Sequence, residues 1–97
     1  MRDNAIRGKL LDFLHDIYPE GADDRSILSV FYQYHLASDI EHSLEYLNDK
    51  GYISRKDVPH PYRKGEFIKL YKISPSGIDL LDGIAVDPGI AIFPDKA

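Results

Sequence analysis

The chain has 97 residues, of which 43% are hydrophobic and 29% are charged, and its net charge is −4. This length is typical of one domain, because most domains contain roughly 50–200 residues. The sequence has no cysteine, which excludes disulfides and thiolate metal sites. Its charged N-terminus does not resemble a signal peptide, and no apolar run approaches the ~20 residues of a membrane span. We therefore expect a cytoplasmic protein.

Two helices are predicted in the first third of the chain. The first spans residues 3–18, where apolar side chains recur three, four and seven positions apart. Those side chains are Ile6, Leu10, Phe13, Leu14 and Ile17. The stretch from Pro19 to Gly21 stops this helix. Asp23-Asp24 then suits the N-terminus of a second helix, which we expect to end near residues 32–34.

A third helix is predicted from Ser38 to Lys50. Ser38 and Glu41 match a capping box, in which both side chains accept hydrogen bonds from backbone N–H groups. Apolar residues continue the inward-facing stripe, and Gly51 suits the left-handed end of a helix. Only a few residues separate this helix from the second, as in a helix-turn-helix.

The next segment predicts a β-hairpin. Tyr52–Lys56 and Phe67–Ile73 are short runs rich in β-prone residues. Val58–Gly65 lies between them, and its two prolines and its glycine predict an irregular tip.

A fourth, short helix is expected after the hairpin. Ser74 provides a side-chain cap, Pro75 suits the first helical position, and Gly83 ends the helix. Residues 1–83 would then form the domain. Residues 84–97 would form an apolar tail that packs on this domain or on a partner subunit.

Two stretches resemble winged helix-turn-helix domains. Residues 44–55, LEYLNDKGYISR, resemble the L-x-x-L-x-x-x-G-[LY]-I-x-R stretch that joins the recognition helix to the wing in that family. Residues 71–81, YKISPSGIDLL, resemble its Y-x-[IL]-T-x-x-G-x-x-x-L exit from the wing. The matches cover residues 38–81. They imply an α+β fold with a three-helix core, a two-stranded hairpin wing and a short C-terminal helix.

A narrower resemblance concerns the C-terminal part. Gly77–Asp79, Gly83 and Pro88–Ile90 are similar to small winged-helix proteins of Mu-like prophages. This resemblance implies a bacterial or phage setting and no particular reaction.

Positive charge is concentrated in the hairpin. Residues 50–72 carry seven Lys or Arg against two Asp or Glu, a local balance of +5 in an acidic chain. In the winged-helix family the third helix lies in the major groove of DNA, and the wing contacts the backbone or the minor groove. The resemblance therefore implies double-stranded DNA as the partner and a role as a small transcriptional regulator. The candidate DNA-binding residues are Arg55, Lys56, Arg63, Lys64, Lys69 and Lys72 of the hairpin, with Ser38, His42 and Tyr46 of the third helix.

The third helix also supports a different function. Its outward positions include Asp39, Glu41, Glu45 and Asp49, which repel phosphates. The alternative hypothesis is a non-catalytic protein-interaction module of the same fold, in which the acidic third helix binds a basic partner. For DNA binding, we expect a homodimer through the first helix or the tail to supply a second half-site.

No pattern in the sequence indicates catalysis. It contains neither a G-x-S-x-G nucleophile motif nor a glycine-rich phosphate loop. Its four histidines have no partner at metal-ligand spacing on the same element. We therefore expect no enzymatic activity, no cofactor and no metal ion.

Overall fold

The computed structural model describes residues 2–92, which form four helices and a three-stranded antiparallel sheet. In chain order the elements are α1 Arg2–Asp16, β1 Ala22–Asp23, α2 Asp24–Phe31, α3 Ala37–Asp49, β2 Ile53–Pro59, β3 Phe67–Ile73 and α4 Pro75–Leu81. The expected α+β class is confirmed. Within residues 2–92, none of the helices is long and apolar enough to cross a bilayer.

The sheet has one strand more than the sequence predicted. Its strand order is β1-β3-β2, so β3 is central and β2 is an edge strand. The additional strand pairs Ala22 with Tyr71 and Asp23 with Leu70. The predicted pairing of two strands in a hairpin is confirmed, and β1 is an addition that the sequence did not predict. A strand of two residues is too short to show the alternation from which strands are predicted.

β2 extends further than its composition indicated. Val58 and Pro59, expected in the irregular tip, belong to the strand, and Pro59 pairs with Phe67. Proline is tolerated at this position because it lies at the end of an edge strand. Its missing N–H therefore leaves no carbonyl of a neighbouring strand without a donor.

The core lies between the helices and one face of the sheet. α1 packs against α3, β3 and α4, and it therefore buries two adjacent faces rather than one. For this reason Leu11, which was not part of the predicted stripe, is fully buried. Each fully buried large aliphatic side chain contributes about 1.5–3 kcal/mol to folding. The fully buried large side chains are Leu10, Leu11, Leu14, Ile27, Ile40, Leu44, Leu47, Ile53 and Leu80.

The N-terminus of α3 differs from the prediction. Its N-cap is Leu36, which makes no side-chain cap hydrogen bond. The capping box of Ser38 and Glu41 is therefore wrong, and both side chains are exposed within the helix. The start of α3 is set instead by the backbone, since the Ile40 N–H donates to the Leu36 carbonyl at 3.1 Å.

The N-terminus of α4 confirms the prediction. Ser74 Oγ accepts from the Gly77 N–H at 3.2 Å, and Pro75 occupies the first helical position. The Ser74 N–H also donates to the Tyr52 carbonyl at 3.0 Å, which ties α4 to the start of β2. Gly77 lies directly against the same carbonyl, so that no side chain fits between them.

The described part of the tail, residues 84–92, packs on the rest of the chain. Ile90 is 4% exposed and belongs to the hydrophobic core. Arg7 Nη1 on α1 donates to the Gly89 carbonyl at 3.1 Å. Phe93 lies outside the described residues, and docking of the tail on a partner subunit stays a prediction.

Asp87 joins the tail to the junction of α3 and β2. Its Oδ2 accepts from the Tyr52 hydroxyl at 2.7 Å and lies 3.6 Å from Lys50 Nζ, while its Oδ1 accepts from the Gly89 N–H at 2.8 Å. Its side chain is only 9% exposed. These contacts, the Tyr52 hydrogen bond first, hold the pKa of the Asp87 carboxyl below its ordinary value. The same hydrogen bond is the main cause that raises the pKa of Tyr52 to about 12.

Replacing Asp87 by asparagine should lower the free energy of unfolding at pH 7 by about 1–3 kcal/mol, because it removes a hydrogen-bonded charge from a mostly buried position. Since the folded-state pKa of Asp87 is depressed, its contribution is present above an unfolded pKa of about 4 and is lost as the pH falls through the folded value. Urea denaturation curves of wild type and Asp87→Asn should therefore converge in acid. The exposed Asp82→Asn change serves as the control, and a stability gap independent of pH would contradict the role of the Asp87 charge.

Replacing Gly77 by alanine should destabilise the fold by about 1–3 kcal/mol or more, because the added methyl group would overlap the Tyr52 carbonyl and lie 2.8 Å from Ile73 Cγ1. Ser76→Ala, at an exposed position of the same helix, should change stability little. Both free energies can be measured by denaturant unfolding. Equal stability of the two variants would show that α4 does not require this close approach.

Candidate nucleic-acid interface

The β2–β3 hairpin extends away from the core. Its register runs from Ile53 opposite Ile73 at the base to Pro59 opposite Phe67 at the far end. Ile53 and Ile73 at the base of the hairpin are buried, whereas every residue from 54 to 70 is exposed or half-buried. The described residues measure 42 × 27 × 26 Å along their principal axes. Most of the hairpin beyond its base is therefore accessible to a partner.

The six predicted cations lie on the hairpin, but not on one face of it. Residues directly opposite each other in an antiparallel pair share a face, and successive residues alternate between faces. Arg55 lies opposite Tyr71, on the face that packs against the helices. By the same register Lys69 shares that face, whereas Lys56 and Lys72 lie on the opposite one. The remaining two cations, Arg63 and Lys64, belong to the tip.

The tip of the hairpin is a defined loop organised by His60. Its Nδ1 accepts from the backbone N–H groups of Tyr62 at 3.0 Å and Arg63 at 3.1 Å. The backbone N–H of His60 donates to the Glu66 carbonyl at 2.8 Å. Tyr62 is 91% exposed, and Arg63 and Lys64 are exposed beside it. This role of His60 was not predicted from the sequence. The local signal for it is a histidine placed two and three residues before the loop residues whose N–H groups donate to it.

Two of the cations form ion pairs within the hairpin. Arg63 Nη1 lies 3.6 Å from Glu66 Oε1, and Arg55 Nε lies 3.6 Å from Asp57 Oδ1. All four side chains are more than one third exposed. Exposed pairs of this kind contribute about 0–1 kcal/mol. These pairs therefore offer little resistance to contact between either arginine and a phosphate.

The three candidate residues of α3 are not equivalent. Ser38 and His42 are exposed. Tyr46 is half-buried on the flank that faces α1 and the tail, and the Arg7 guanidinium carbon lies 3.6 Å from the centroid of its ring. Gly89 packs against its hydroxyl. The structure therefore assigns Tyr46 to internal packing and not to the outward face where the sequence analysis placed it.

The outward face of α3 is acidic, and part of it borders a cleft. Glu41, Glu45 and Asp49 are exposed, and Asp39 is half-buried. The first two also line a cleft of about 280 Å³ between α2, α3 and the hairpin. The buried Tyr71 lies in its lining.

The environment of Tyr71 reflects this mixture of charges. Burial raises the pKa of its hydroxyl above the ordinary value. The neighbouring Arg55 opposes this increase, whereas the carboxylates of Asp24 and Glu45 add to it. At neutral pH the hydroxyl is therefore protonated and available as a hydrogen-bond donor inside the cleft.

Replacing His60 by alanine should loosen the tip, because two backbone N–H groups lose their acceptor. Backbone order parameters measured by ¹⁵N relaxation at residues 62–65 should fall from about 0.85 toward 0.6. The fold should stay intact, since His60 lies outside the core. His42→Ala, at an exposed position of α3, should leave the tip unchanged. An ordered tip in the His60 variant would show that the loop is held by other contacts.

Within residues 2–92, no group of three His, Asp or Glu side chains is placed to hold a metal ion. No protein-family model matches the chain, and neither a curated protein nor a solved structure shows significant similarity to it. The candidate interface is therefore defined by its own geometry and charge.

Proposed function

We propose that this chain is a winged helix-turn-helix protein that binds double-stranded DNA through its β2–β3 hairpin. The observation that supports the proposal is the exposed tip of the hairpin, where Arg63 and Lys64 lie beside Tyr62. The other four cations do not form one basic surface, because Lys56 and Lys72 lie on one face of the hairpin and Arg55 and Lys69 on the face toward the helices.

The exposed tip has the composition of a phosphate-binding loop, with two adjacent cations at the end of the hairpin far from the core. Contacts to phosphates supply most of the affinity in non-specific binding and make it sensitive to salt. Tyr62 at the tip adds an exposed ring beside Arg63, suited to contact with sugar or base edges.

The order of the elements supports the winged-helix assignment. α2 and α3 are joined by residues 32–36, and the hairpin follows α3 directly, as in helix-turn-helix domains that carry a wing. Of the residues expected on α3, Ser38 and His42 remain available for base or sugar contacts. A homodimer would supply a second copy of these few contacts. The proposed protein is a small cytoplasmic transcriptional regulator of bacterial or phage origin.

The double change Arg63→Ala/Lys64→Ala should weaken DNA binding and reduce its salt dependence. About four phosphate contacts give a slope near −3.6 in log K against log salt, and loss of two contacts should reduce its magnitude by about 2. Fluorescence polarisation with pooled genomic fragments between low and moderate salt measures both quantities.

The matched control is Lys9→Ala/Arg25→Ala, which removes the same charge from exposed positions on α1 and α2. It should retain the wild-type slope. No wild-type binding at low salt would disprove the proposal, and an equal loss in both double variants would remove the assigned role of the tip.

A second candidate function is a protein-interaction module of the same fold. It is favoured by the exposed carboxylates of Glu41, Glu45 and Asp49 on α3, which suit a basic partner better than DNA. The two candidates differ at low salt, where the interaction module predicts no binding of DNA fragments.

A further inference from the structure

The cleft between α2, α3 and the hairpin has the dimensions of a small ligand site. Its volume of about 280 Å³ lies just below the roughly 300–1,000 Å³ of most ligand pockets. Its walls come from three elements that are distant in sequence: Asp24 and Leu28 from α2, Glu45 from α3, and Arg55 and Lys69 from the hairpin. A molecule in the cleft would contact all three at once.

The carboxylates and the cations that line the cleft are not joined in ion pairs. Asp24, Glu41 and Glu45 face it from the helices, and Arg55 and Lys69 face it from the sheet. Among the described residues, no ion pair joins these carboxylates to these cations, since the pair of Arg55 is made with Asp57 of its own strand. The carboxylates and the cations therefore line the same cleft without direct contact with each other.

This arrangement selects the charge of a ligand. A simple cation would be opposed by Arg55 and Lys69, and a simple anion would be opposed by three carboxylates. A molecule with one charge of each sign meets a complementary group on both walls.

The rest of the lining favours an apolar group between the two charges. Leu44 and Tyr71 are buried, and Leu28 is half-buried. An aliphatic chain placed against them would lose contact with water, which favours binding. The Tyr71 hydroxyl, which interacts with the side chain of Arg55, can still donate a hydrogen bond to a carboxylate.

We propose that this cleft binds a free amino acid with an apolar side chain. The ammonium group lies toward Asp24, Glu41 and Glu45, and the carboxylate lies toward Arg55 and Lys69. The side chain packs against the leucines and the ring of Tyr71. This site goes beyond the proposed DNA binding and does not depend on it.

The test is a titration of the ¹⁵N-labelled full chain with L-leucine in the absence of DNA. Saturable shifts should appear at residues of the cleft, with a dissociation constant in the range of about 1 mM or below. Three analogues each lack one recognised group: 4-methylpentanoate has no ammonium, 3-methylbutylamine has no carboxylate, and glycine has no side chain. Each should bind at least about tenfold more weakly than leucine.

Two substitutions test the assigned contacts. Glu45→Gln and Lys69→Gln should each weaken leucine binding by about fivefold or more. Both residues are exposed, so the fold should be preserved, which unfolding curves can verify. The matched controls are Asp49→Asn on α3 and Lys56→Gln on the opposite face of the hairpin, neither of which lines the cleft.

Three outcomes would overturn the proposal. They are the lack of saturable shifts up to about 20 mM leucine, equal binding of any single-group analogue, and equal weakening by the control substitutions. Because DNA is absent from these measurements, a failure here is distinct from a failure of DNA binding.

Discussion

The exposed half of this protein depends on one constraint, the register of β2 against β3. Ile53 and Ile73 are direct partners at the base of the hairpin, and both are buried. Because successive strand residues point to opposite faces, fixing this pair fixes the side of every residue beyond it. A slip of β2 by one residue would remove Arg55 from the cleft and would expose Ile53, whereas Lys69 and Tyr71 would stay in place because β3 also pairs with β1. The buried pair of isoleucines at the base therefore determines on which face each polar side chain of the hairpin lies.

Elements with local signals could be predicted from the sequence. β3 has the bounds that its β-prone run indicated, and the cap of α4 is the predicted serine with proline behind it. β1 gave no such signal, since two residues become a strand only because Tyr71 and Leu70 offer them a partner. The start of α3 was misplaced for a related reason. Burial of Ile40 and Leu44 fixes the helix in the core, and Ser38 then lies two residues past the N-cap, inside the first turn.

The candidate site was predictable in composition and less so in arrangement. Alternation alone places Arg55 and Lys56 on opposite faces of a strand. Which of the two faces the helices depends on contacts far away in sequence. Tyr46 shows the same limit, because its ring is covered by Arg7, from a helix 39 positions earlier, and by Gly89, 43 positions later. A helical periodicity describes one helix and contains no information about which flank a distant tail will cover.

The separation of charge explains how an acidic protein could use its hairpin under the proposed function. At physiological salt, charges beyond about 8 Å are largely screened, so an approaching phosphate senses local charge rather than the net charge of the chain. Glu41 and Glu45 would oppose an approach along α3, while Arg63 and Lys64 attract from the far end of the molecule. Such an uneven field orients a partner before contact is made. Under the proposed function, the carboxylates of α3 would therefore restrict the interaction with DNA to an approach led by the hairpin.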